Sequence, residues 1–201
     1  MKKLIAEFKP CLRGAFQLCL FMHSGIEPFK AGDWWQTLRS FTWVLLFLPL
    51  SYLTVALHPP LGTEDLSSIY ITNVSYLIGL SSSLIVFGIF FAFASVMKKQ
   101  NRLASYISAV NWIGIVMFFI SLPLLIANYM NWFDYKAIED IGIVLTIYGL
   151  AISAYVFYRA FDIPWELAGC MIIVGLLVGE TTHDAIYQLM DIPLVDYSEV
   201  F

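Results

Sequence analysis

Polar and apolar positions follow two different rhythms along this chain. In LIAEFKPCLRGAFQLCL, residues 4–20, apolar positions 4, 5, 8, 11, 12, 15, 16, 19 and 20 recur at helical spacing, with Glu7, Lys9, Arg13 and Gln17 on the other face. That spacing predicts an amphipathic helix, either lying in a membrane surface or packed on neighbouring helices. From residue 40 the rhythm changes to long apolar runs over 40–57, 69–97, 103–127, 141–158 and 165–187. The first four runs, and residues 167–179 of the last, contain no Asp, Glu, Lys, Arg or His. A helix needs about 20 apolar residues to cross about 30 Å of hydrocarbon, and it satisfies its own backbone polar groups there. The alternating segments of a membrane barrel do not occur. The expected fold is an all-α integral membrane protein with five transmembrane helices preceded by an amphipathic interfacial helix. Its parts are a cytoplasmic segment (1–39), the transmembrane bundle (40–187) and an acidic extracytoplasmic tail (188–201).

Composition strengthens this reading. Hydrophobic residues make up 60% of the 201 positions, charged residues 13%, and the mean hydropathy is +0.77. A water-soluble fold would have too few polar residues to cover its outside. The three cysteines, Cys11, Cys19 and Cys170, lack metal-ligand or C-x-x-C spacing and read as buried or lipid-facing thiols.

Charge placement gives an orientation. With five crossings, Lys2, Lys3, Lys9, Arg13, Lys30, Arg39, Lys98, Lys99, Arg102 and Arg159 share one side, and the opposite side receives only Lys136. The positive-inside rule then places the N-terminus in the cytoplasm and the C-terminus outside, in a multi-pass inner-membrane protein. A sixth crossing at 11–29 would destroy this asymmetry and put Arg13 and Glu27 into lipid. The basic side attracts anionic membrane lipids; a nucleic-acid partner is not expected.

Several residues then take structural roles. Trp34 and Trp35 are expected to anchor the headgroup level, with Arg39 reaching back to cytoplasmic water. Pro49 and Pro123, inside the first and third spans, are expected to kink their helices. Gly175 and Gly179 form a G-x-x-x-G, and Gly149 with Ser153 repeats the small-residue spacing, which marks close helix packing or self-association. Asn73 and Asn111 offer hydrogen bonds between helices.

Candidate chemistry is sparse. In GETTHD, residues 179–184, Glu180, His183 and Asp184 fall at i, i+3 and i+4 and share a helix face. They offer three metal ligands, although no recognised zinc motif is present, and the competing reading is the hydrated end of the last span. GLSSS, residues 79–83, lacks the second glycine of a nucleophile elbow and has no intramembrane histidine beside it. No catalytic residue and no cofactor are expected. A coupled transporter would place ionisable residues mid-span, and these are absent. A permease or channel subunit for a neutral or weakly charged solute remains the alternative. It calls for a hydrated cavity reaching Ser51, Asn111 and Ser121. The leading expectation is a non-catalytic scaffold, organiser or accessory subunit acting through membrane lipids and a membrane-protein partner or a second copy.

Three stretches carry a family likeness. They are DWWQTLRSFTWVLLFLPL leading into the first span, YISAVNWIGIVMFFISLPLLI in the third, and YVFYRAFDIPWELAG joining the last two. In this layout the chain resembles the bacterial members of the Yip1-like superfamily of small five-span membrane proteins. The DLYGP signature of the eukaryotic members is absent, so their link to small-GTPase membrane traffic does not transfer. The resemblance implies no catalytic residues and favours the organiser reading.

Overall fold

A computed structural model of the chain describes residues 2–30, 33–57, 68–130, 132 and 135–190. The acidic tail beyond Met190, together with His58, Glu64 and Asp65, lies outside the described residues. Among the described residues there is no strand. Six α-helices follow in order: α1 (Lys2–Cys19), α2 (Trp34–Leu57), α3 (Ser68–Val96), α4 (Leu103–Tyr129), α5 (Tyr135–Phe161) and α6 (Trp165–Leu189). A 3-10 segment, His23–Phe29, follows α1.

Four stretches, Thr72–Val96, Gln100–Ala127, Asp140–Phe161 and Trp165–Leu189, are long and apolar enough to cross a membrane. Their outer faces fit lipid rather than water: Leu80, Leu84, Ile143, Val144, Ile147, Ile173 and Leu177 are all exposed. The chain is thus all-helical, with the character of a multi-pass membrane protein. α2 continues helically through Pro49 and α4 through Pro123.

Helix ends are made by the backbone rather than by glycine. Phe21, Lys98 and Asp162 take positive φ values of 55°, 55° and 50° just past α1, α3 and α5. At α1 the Met22 amide donates to Gln17 O (2.8 Å) and the Phe21 amide to Leu18 O (2.9 Å), which satisfies the last carbonyls. The same pattern closes α3 through Lys99 to Ala94 O and Lys98 to Ser95 O. The Lys99 ammonium also donates to Phe161 O (2.7 Å) and Asp162 O (2.8 Å), placing a cation on the negative end of α5.

The chain divides into two compact units, one of residues 1–47 and 93–172, the other of residues 48–92 and 173–201. In the first, α4 is buried along Leu103, Ala104, Tyr106, Ala109, Trp112 and Val116. Rings fill two ends of this core: Tyr106, Phe157 and Phe161 cluster beside Phe93, while Phe8, Trp43 and Trp112 form a second group with centroids 4.8–5.8 Å apart. In the second unit, α3 and α6 pair through Val74, Ile78 and Tyr187, with Ile186 and Met190 beside them.

Candidate functional site

The most elaborate construction lies where α1 and the 3-10 segment dock in the first unit. α1 turns Cys11, Gly14, Ala15, Leu18 and Cys19 inward at i, i+3 and i+4 spacing. Its backbone meets the 3-10 segment at two glycines: a Cβ on Gly14 would stand 2.8 Å from Gly25 O, and one on Gly25 would stand 2.7 Å from Gly14 O. No other residue fits that crossing.

Polar contacts pin the docked helix at both ends. Arg39 Nε donates to Glu7 Oε2 (2.8 Å) and Arg39 Nη2 to Glu7 Oε1 (2.6 Å), a two-pronged ion pair between α2 and α1. The Glu7 carboxylate pushes the Arg39 guanidinium above its usual value. Arg39, expected to reach back to water, is instead half-buried and held by Glu7. Gln36 Nε2 donates to Pro28 O (3.0 Å), and Tyr148 Oη donates to Cys19 O (2.6 Å) at the far end of α1. Arg159 donates from Nη2 to His23 Nε2 at 2.5 Å.

A polar ladder runs between α2 and α4. Thr37 Oγ1 lies 3.0 Å from both Ala104 O and Ser108 Oγ, Ser40 Oγ donates to Thr37 O (2.7 Å), and Asn111 Nδ2 donates to Ser40 Oγ (2.8 Å). Each hydroxyl is thereby satisfied away from water. Asn111 therefore serves helix contact, and Ser121 turns its hydroxyl onto Phe118 O (3.0 Å) of its own helix. Ser51 has no described side chain.

Between α1 and α4 runs an open groove of about 520 Å³. Phe8, Leu12 and Phe16 form one wall and Val116, Phe119 and Ile120 the other. Lys9 and Arg13, one helical turn apart, also line it. Periodicity placed Phe8, Leu12 and Phe16 on the same apolar stripe as the buried Cys11, Ala15 and Cys19, and Lys9 and Arg13 on the other face. The structure splits that stripe into a buried half and a half that faces the groove.

The remaining sequence candidates are dispersed. His183 Nδ1 lies 3.3 Å from Asp184 Oδ1, and the imidazole stacks on Tyr187 with centroids 4.3 Å apart. Glu180, His183 and Asp184 do not converge as ligands, and no group of three His, Cys, Asp or Glu fit for a metal occurs among the described residues. A shared helix face brings side chains to one side but does not by itself aim them at one point. Gly175 sits against Val86 and Phe90, whereas a Cβ on Gly149 or Gly179 would meet nothing within 4 Å among the described residues. Ser153 donates to Gly149 O (2.8 Å) within its own helix. Trp34 and Trp35 are exposed, Trp35 at 69%. Sequence reading missed Gly14, Gly25, the Glu7–Arg39 pair and the groove.

No family model, no curated protein and no solved structure matches this chain.

Proposed function

We propose that this is a five-span inner-membrane protein without catalytic chemistry, an organiser or accessory subunit that works through contacts with lipids and a membrane-protein partner. The fifth crossing is the 40–57 part of α2, which carries no charge and follows the exposed Trp34 and Trp35. α1 then lies at the cytoplasmic surface, on the side that holds ten of the eleven basic residues. The Yip1-like likeness favours the same reading.

One observation carries the proposal: α1 is pinned by an ion pair and a glycine contact, yet leaves cations and large apolar side chains outward. On α1, Phe16 is exposed along with Lys9 and Arg13, and Leu20, Phe21 and Met22 are exposed just past its end. This is the composition of a helix that meets a lipid interface. The buried hydroxyls of Thr37, Ser40 and Ser108 are engaged in helix contacts.

Native mass spectrometry on protein gently extracted from its own membrane tests the organiser reading. A stoichiometric protein partner or lipid, retained equally by wild type and His183→Ala, is the expected result. A bare monomer, or a bound metal lost with His183, would overturn it.

A further inference from the structure

We propose that the groove between α1 and α4 is a seat for one anionic glycerophospholipid, with an acyl chain between the two helices and the phosphate between Lys9 and Arg13. The inference rests on α1 lying at the cytoplasmic membrane surface and adds the ligand that this surface selects.

The groove's walls are apolar, and the side chains that form them are exposed: Phe16 at 54%, Phe119 at 51% and Ile120 at 39%. Its volume of about 520 Å³ falls among ligand clefts of about 300–1,000 Å³. Beyond Ile120, α4 continues as an apolar stretch to Ala127, so the groove opens toward hydrocarbon rather than toward a polar surface. An acyl chain matches such walls.

The two cations decide which lipid. Lys9 and Arg13 are exposed, and neither makes an ion pair or hydrogen bond among the described residues. The carboxylate nearest in sequence, Glu7, is already bound by both prongs of Arg39. Two cations one turn apart, with no neutralising partner, present five guanidinium donors and one ammonium to a single anion. A zwitterionic headgroup would fill the same slot but bring its own cation against Lys9 and Arg13. Charge complementarity therefore selects a headgroup of net negative charge.

The test uses the full chain, delipidated in neutral detergent and titrated with phosphatidylglycerol or phosphatidylcholine of the same acyl chains. Native mass spectrometry counts the lipids retained. One tightly held phosphatidylglycerol is expected, with clear preference over phosphatidylcholine. Lys9→Ala with Arg13→Ala should weaken it about thirty-fold and leave phosphatidylcholine unchanged. Ile120→Trp, which fills the slot without touching the cations, should release both lipids. Equal retention of the two lipids by wild type, or undiminished phosphatidylglycerol in the double variant, would overturn the seat. In parallel, Lys9→Cys in a Cys170→Ser background is labelled in sealed membranes from either side. Labelling from the cytoplasmic side together with no lipid preference removes the seat alone. Labelling from the outer side removes the topology on which it stands.

Discussion

Gly25→Ala places one methyl group where the structure has no room for it. A Cβ there would stand 2.7 Å from Gly14 O, 2.7 Å from the Leu18 amide nitrogen and 2.8 Å from Leu18 Cγ. Ordinary contact begins at 3.4 Å, so the 3-10 segment must withdraw by about 0.7 Å (3.4 − 2.7) from a helix backbone that cannot yield as a side chain would. Overpacking of this kind costs about 1–3 kcal/mol. A mid-range loss of about 2 kcal/mol raises the population with α1 undocked about thirty-fold. Trypsin reads that population at the Arg13–Gly14 bond, because a helical backbone must open before it is cut; Lys9 precedes Pro10 and is spared. Gly14→Ala meets Gly25 O at 2.8 Å and Pro28 Cγ at 2.9 Å, but it regains about 1 kcal/mol of helix propensity, so its effect should be smaller. Gly88→Ala is the control, since its Cβ would meet nothing within 4 Å among the described residues. Cleavage at Arg13 as slow in Gly25→Ala as in Gly88→Ala would refute the docked position of α1.

Three further outcomes follow from the same unit. Arg39→Ala should lower thermal stability in detergent by about 1–2 kcal/mol, reduced from the cost of breaking a fully buried pair because both partners are partly hydrated; Arg39→Lys, which loses the fork, should fall between. Thr37→Val removes the hydroxyl between Ala104 O and Ser108 Oγ and should cost about 1 kcal/mol in the same melt. Burial pushes the Cys19 thiol up to about 11 and also raises Cys11. Because the folded value lies above the unfolded one, the thiol's stabilising share is complete below about pH 9 and is lost as pH rises toward 11. Iodoacetamide at pH 8 should therefore leave both thiols unmodified until the protein is unfolded; rapid alkylation of folded protein would contradict their burial.

Much of the helical layout was legible because lipid imposes a strong and local rule. The uncharged runs at 69–97 and 103–127 lie almost on α3, Ser68–Val96, and α4, Leu103–Tyr129. Where the rule is about lipid rather than helix, the boundaries drift: α5 begins at Tyr135 and takes in Lys136, Glu139 and Asp140, because charge ends a span without ending a helix. The end of α1 was hidden for another reason. Phe21 rather than glycine adopts the left-handed turn, so the usual stop signal is missing from the sequence.

The site was less legible than the fold. Glu7 and Arg39 are 32 positions apart, and no periodic pattern relates them. Gly14 and Gly25 matter because two backbones cross there, whereas the spaced glycines at 149 and 179 follow a known motif but a Cβ at either would meet nothing within 4 Å among the described residues. Asn111 was readable as a bonding group between helices, though its partner Ser40 was not. The apolar stripe of α1 foretold an amphipathic helix, but only tertiary packing divides it between core and groove.

The number of crossings tests the account most directly. A reporter fused after Phe201 that fluoresces only in the cytoplasm is compared with a phosphatase, at the same position, that is active only outside. With α2 as a fifth span, the phosphatase should be active and the fluorescent fusion dark. A bright fluorescent fusion with an inactive phosphatase would mean an even number of crossings or five in the inverted orientation, and either would take from α1 its place at the cytoplasmic face of a five-span protein.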